Sequence, residues 1–344
     1  MTLPISSIPK AELHCHIEGA AHPEFVRKQA EKYAIDLSVI LDEDGETYRW
    51  TDFTSFLEAY VAASEVLRTP EDYVALSYDV LKRQAAQNVL YQEFFCSHDN
   101  SDRMGCHYSD MIEAMAEGAQ LAREETGIET RFCVTGVRNI GMHHIDEAAK
   151  LAEAHPHPMV TGFGMAGDER MGDVREVKNA FERAKGAGLR LTAHAGEVCG
   201  AKSVTACLDH LHVERVGHGV RSIESPDLVK RLAEEKIVLE VCPASNIALH
   251  VFAEQDHPLG RLKEAAVRVT LSSDDPPFFK TTTSNEYRLA RETYDFSDAD
   301  LLQTTRTSLE AAFVDEPTRQ ALFARFEAAI ADMTEPSKSS ETGE

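Results

Sequence analysis

The sequence sets histidines and carboxylates at spacings that suit metal-assisted hydrolysis. His14 and His16 form an HxH pair, His194 and Glu197 frame the run HAGE, His218 sits in GHG, and Asp274 and Asp275 are adjacent ahead of two prolines. Three imidazoles and one carboxylate drawn from this set would make a nitrogen-rich centre suited to a borderline ion such as zinc, with a position left open for water. Such an ion lowers the pKa of bound water to about 7, which makes hydroxide available at neutral pH. Taken singly, each group has a duller reading. HxH can be a satisfied histidine pair, His218 a core histidine, the Asp pair a turn or helix cap, and Glu197 a solvated carboxylate. Their joint recurrence at the ends of predicted strands gives them chemical weight.

Short apolar or β-branched runs recur along the chain, each followed by a longer stretch of helical periodicity. Eight candidate strands cover 11–17, 88–96, 130–137, 159–167, 189–197, 215–220, 237–243 and 268–275. Helical patterns fill 71–87, 108–125, 174–188 and 225–236, with a further one over 302–331. This alternation predicts an α/β fold, a (β/α)8 TIM barrel, whose active site gathers at the C-terminal ends of the strands. His14 and His16 lie near the end of the first strand, His194 and Glu197 close the fifth, His218 the sixth, and Asp274 and Asp275 the eighth. Residues two apart on a strand share a face, so His14 and His16 can both point into the barrel. Residues 24–66 insert a helix, a polar turn and the apolar stretch FTSFLEAYVAASEVL, an inserted helical lid after strand 1. Residues 1–333 are expected to form one domain, and the polar run 334–344 a disordered tail. His143, His144, His155, His157, His210 and His212 fall in predicted loops or helices and read as structural or exposed.

Composition narrows the partners. A formal net charge of −23 repels nucleic-acid backbones and anionic membranes, so a neutral small molecule fits better. Hydrophobic residues at 43% supply ample core. The seven scattered cysteines contain no CxxC pair and read as reduced thiols of a cytoplasmic protein. Neither an export signal nor an 18-residue apolar run is expected from the sequence. The H-x-E with downstream P-C-x-x-C of cytidine-type deaminases, the G-x-S-x-G elbow and the phosphate loop do not occur.

The runs PKAELHCHIEG (9–19), GMAGDE (164–169), LTAHAGE (191–197), ERVGHGVRSIE (214–224), EVCPASNI (240–247) and LSSDDP (271–276) resemble, in order, those of the adenosine and adenine deaminases of the amidohydrolase superfamily. The resemblance implies one zinc per chain on His14, His16, His194 and Asp274, with Asp274 also orienting or deprotonating the water. It implies that His218 holds the hydroxide and that Glu197 protonates purine N1, so that hydroxide attacks C6 and ammonia leaves. The Gly167 backbone would meet purine N3 and Asp275 purine N7, while His16 and Glu18 flank the rest of the substrate. A phosphoesterase or amide hydrolase on the same barrel would carry a lysine at the end of the fourth strand, where this chain has none. On substrate the signatures disagree. GMAGDE and GHG resemble the nucleoside enzymes, whereas HIEG, with Glu18, and residues 53–73 resemble the free-base enzymes. The AGDE match favours adenosine and deoxyadenosine, deaminated in purine salvage, with adenine to hypoxanthine as the alternative.

Overall fold

A computed structural model describes residues 2–334, so the expected tail lies outside the described residues from 335 onward. The apolar runs form β1 (Lys10–Glu12), β2 (Val89–Cys96), β3 (Glu129–Val137), β4 (Val160–Ala166), β5 (Arg190–Ala195), β6 (Arg215–His218), β7 (Val238–Val241) and β8 (Arg268–Leu271). They pair in parallel in chain order. A parallel bridge between Cys15 and Asp274 brings the first and last strands together and makes a (β/α)8 barrel. All eight residues of β2 are buried, as expected of a strand covered by helices outside and filled by side chains inside.

Three sequence expectations are corrected in detail. The first strand is regular over only three residues; beyond it the chain is shared, Cys15 bridging to Asp274 and His16 to Phe95. The stretch 174–188 opens with a 3-10 turn at Val174–Val177 before its helix at Lys178–Gly186. The run 302–331 is two helices, Asp298–Ala311 and Glu316–Thr334. The break between them lets Phe313 turn under the barrel, where its backbone N–H donates to Glu93 Oε1 at 2.6 Å.

The segment between β1 and β2 carries α1 (Pro23–Tyr33), α2 (Phe53–Ser64) and α3 (Pro70–Ala85). Proline at the first turn starts α1 and α3, and Asp52 with Ser55 forms a capping box at α2. The apolar face of α2 packs on the loop after β8. Phe56 meets Phe278 and Phe279 at ring distances of 5.6 and 5.0 Å, Tyr48 stacks on Phe278 at 3.8 Å, and Trp50 Nε1 donates to the Phe278 carbonyl. The insertion therefore crosses the barrel mouth. No helix among the described residues is long and apolar enough to cross a membrane, and all seven cysteines are unpaired.

The lower barrel is filled by charge. Arg215, 1% exposed, reaches Glu93 Oε2 at 2.5 Å and donates to the Ala311 carbonyl, while its plane lies 3.4 Å from the Phe313 ring centre. Its Nε stands 2.6 Å from Glu240 Oε1, off the line of a hydrogen bond. Tyr91 donates to Glu93 Oε1 at 2.7 Å. Removing one partner of such a buried set strands the others without solvent. Arg215→Met is therefore expected to destabilise the metal-free protein by about 3–5 kcal/mol, read from its urea unfolding midpoint. A loss below about 1 kcal/mol would show that Glu93 and Glu240 find other compensation.

Candidate active site and metal centre

His14, His16, His194 and Asp274 each bring one ligand atom into a group whose members lie within 4.8 Å of one another. His16 Nε2 is 3.1 Å from His194 Nε2, and Asp274 Oδ1 is 3.4 Å from Nε2 of both His14 and His16. Donors bound at about 2.0–2.1 Å around a tetrahedral ion stand roughly 3.3 Å apart, so this set fits zinc. His14 Nδ1 faces Glu240 Oε2 at 2.9 Å, which turns Nε2 toward the other donors; Nε2 is buried and has no hydrogen-bond partner. A second grouping replaces His16 and His194 by His218 and Cys242. Burial pushes the Cys242 thiol well up, and its Sγ lies 3.6 Å from the Glu240 carbonyl, so it offers no thiolate.

Two residues at this centre hold left-handed backbone. His218 has φ of 60° and Asp274 of 62°, each costing about 1–2 kcal/mol for a residue with a Cβ. The barrel closure holds Asp274 there: its N–H donates to the His14 carbonyl at 3.1 Å, and its own carbonyl accepts from His16 N–H at 3.0 Å. Ser245 Oγ donates to Asp274 Oδ2 at 2.7 Å and fixes the carboxylate plane. Two glycines are required by close approach: a Cβ on Gly217 would stand 2.8 Å from His14 Cε1, and one on Gly19 would overlap Asp275 Oδ1.

The cavity beside this centre measures about 340 Å³ and is lined by residues of seven strand ends and of α2. Glu197 is buried in it, and burial together with the nearby carboxylates of Asp274 and Glu169 raises its pKa well above the usual range. Glu169 holds the loop that carries Glu197, accepting from the backbone N–H groups of Glu197 at 3.3 Å and Cys199 at 2.6 Å. Asp275 is likewise raised, first by burial and then by Asp274, Glu197 and Glu18. Glu18 is raised to about 7 by burial, against the lowering effect of its hydrogen bonds, one of which comes from Tyr60 Oη at 3.0 Å. Asp275 Oδ1 and Glu18 Oε1 are buried without hydrogen-bond partners.

All nine residues singled out in the sequence meet here. His14, behind the others, touches the rings of His194 and His218 at 4.4 and 4.7 Å; His16, Glu18, Gly167, His194, Glu197, His218, Asp274 and Asp275 line the cavity wall. Sequence reasoning missed Glu169, Glu240 and Ser245, which hold the others. Each lies inside a quoted run, GMAGDE or EVCPASNI, so the runs carried the signal and only the roles were absent. It also passed over Tyr60, on the apolar face of the insertion. One histidine was misread: His144 lines the cavity rather than the outer surface, because the helix Met142–Ala154 sets its Nδ1 2.7 Å from Asp99 Oδ1 at the rim.

A sequence profile described as adenosine deaminase matches residues 9–329. The adenine deaminase of Rhizobium leguminosarum bv. trifolii is 53% identical over 319 residues, covering 92% of this chain and 98% of its own. The crystal structure of adenine deaminase from Arthrobacter aurescens superposes with a TM-score of 0.87 at 30% identity, covering 94% of this chain and 99% of its own. An amidohydrolase from Burkholderia ambifaria with bound Zn superposes with a TM-score of 0.85 at 26% identity, covering 96% and 93%. These relatives overturn the preference for adenosine. The AGDE run on which it rested supplies Glu169, which secures the Glu197 loop whichever purine is bound and so does not discriminate between base and nucleoside. The chain is a metal-dependent hydrolytic purine deaminase and belongs to the adenosine deaminase family.

Proposed function

We propose that this chain converts free adenine and water to hypoxanthine and ammonia, with zinc as its metal. The observation that carries the choice of substrate is the bond between Tyr60 of α2 and Glu18, which joins the insertion to the strand-1 loop across one end of the cavity. The cavity, at about 340 Å³, also lies near the lower end of the ~300–1,000 Å³ usual for small-ligand sites. The names of the relatives agree with a free base.

His14, His16, His194 and Asp274 would hold the zinc, which when bound would lower the pKa of a water and make the nucleophile available. The remaining steps belong to side chains. Glu197, kept protonated by burial and by its carboxylate neighbours, donates to purine N1 and makes C6 electrophilic. Asp274, oriented by Ser245, takes a proton from the attacking water. His218, with Nε2 3.7 Å from Glu197 Oε2, steadies the attacking oxygen. Asp275, also kept protonated, donates to N7, and the Gly167 backbone meets N3. The proton held by Asp274 then passes to the amino group, ammonia leaves, and the hydroxyl hydrogen returns to Glu197 as the oxygen on C6 becomes the carbonyl.

On the zinc-loaded protein, ammonia release from adenine should exceed that from adenosine by at least about 100-fold in kcat/KM, since a missing or unmet polar contact is worth that much discrimination. Equal rates, or none from adenine, would sink the reading. Glu197→Gln should keep one metal per chain by elemental analysis yet lose roughly 10²–10⁴-fold in kcat. Glu18→Asp withdraws the carboxylate from Tyr60 and lengthens the cavity. Its KM for adenine should rise about tenfold, the loss of one buried hydrogen bond, while adenosine turnover gains. Unchanged values for both substrates would remove Glu18 from substrate selection.

A further inference from the structure

Behind His218, on the side away from the cavity, a file of three side chains ends on a backbone amide. His218 Nδ1 lies 3.4 Å from Asn246 Nδ2, and Asn246 Oδ1 lies 3.2 Å from His257 Nε2. His257 Nδ1 accepts from the Leu259 backbone N–H at 3.3 Å. Asn246 is fully buried and His257 is 4% exposed, its ring set against Phe252 and Tyr294 at 5.8 and 5.3 Å.

Only the Leu259 amide in this file has a hydrogen that cannot be reassigned. A backbone N–H can only donate, so His257 Nδ1 carries no proton. Burial pushes the His257 pKa down to about 3, which keeps the ring neutral with its single proton on Nε2. That N–H must meet an acceptor, so the Asn246 oxygen faces His257 and its NH₂ group faces His218. An amide NH₂ can only donate, so His218 Nδ1 is bare as well, and the ring proton sits on Nε2, the nitrogen nearer Glu197.

We infer that Asn246 and His257 are positioning residues that hold His218 in its Nε2-protonated form, so that it presents a hydrogen-bond donor rather than a lone pair to the reacting oxygen. The catalytic consequence rests on the deamination reading; the tautomer itself does not.

The test is a two-dimensional ¹H–¹⁵N multiple-bond spectrum of histidine-labelled protein, zinc-loaded and zinc-free, with the His218 signals assigned by their loss in His218→Gln. The expected pattern is Nε2-protonated for both His218 and His257. His257→Phe should keep one zinc per chain and an adenine KM within about twofold, lose roughly 10- to 100-fold in kcat, and release His218 into a mixture of tautomers. His257→Gln, whose amide can donate to Asn246 and accept from Leu259, should restore most of kcat and the original pattern. An Nδ1-protonated His218 in the unmodified protein overturns the inference, as does an unchanged His218 pattern in folded His257→Phe. If His257→Phe does not fold, the spectrum of the unmodified protein decides. Protein that shows the expected tautomer but releases no ammonia from adenine supports the relay and refutes the function.

Discussion

A column of buried charge runs up the barrel axis, and the active centre stands on it. Glu93, Arg215, Glu240 and His14 succeed one another from the plug at Phe313 to the metal donors, each in contact with the next and each almost wholly excluded from water. Burial alone would raise the Glu240 carboxyl, but Arg215 and His14 bring it below the usual range and keep it ionised. An ionised Glu240 in turn engages His14 Nδ1, which leaves Nε2 as the nitrogen that would ligate. The orientation of this metal donor thus depends, through Glu240, on an arginine on β6. An apolar filling of the same volume would close the barrel equally well but would leave His14 without that direction.

The barrel also closes where the chemistry is. Its last seam is the Cys15 to Asp274 bridge, flanked by backbone hydrogen bonds to His14 and His16, so the same few bonds that join β8 to the first strand fix the distance between the HxH pair and the aspartate. Behind the seam, Glu12 accepts from Ser273 N–H and Oγ, next to Asp274 in the chain. The left-handed backbone of Asp274 is therefore held from both sides, and the metal donors are organised by the closure of the fold rather than by a loop that must order afterwards.

Much of this was legible in the sequence because strands buried on both faces announce themselves as apolar runs, and because chemistry at strand ends brings its residues into short runs. The first strand is regular over fewer residues than its pattern suggests, because HxH continues the alternation while its hydrogen bonds are divided between two neighbours. Glu240 and Arg215 gave no such signal: a charge inside a strand pattern reads as solvent-facing until the barrel turns it inward. His144 was set aside because it falls on a helix, yet the first turn of that helix rises at the cavity rim. Glu18, in the HIEG run that resembles the free-base enzymes, lies at the cavity with its partner Tyr60 of the insertion.

On the proposed function, chemistry and selection come from different parts of the chain. The metal donors, Glu197, His218 and their supports sit on strand ends and the short segments after them, tied to the barrel by backbone bonds and buried carboxylates. The other wall is α2, anchored on the Phe278 and Phe279 pair and contributing Phe53, Phe56, Leu57, Tyr60 and Val61 to the cavity. A change in α2 can alter the shape offered to the far edge of a purine without moving a ligand of the metal. The reverse does not hold, because Asp275 follows Asp274 directly and fills the space that Gly19 leaves open, beside Glu18. On that reading, substrate choice is free to vary at the insertion but is tied to the metal donors through Gly19 and Asp275.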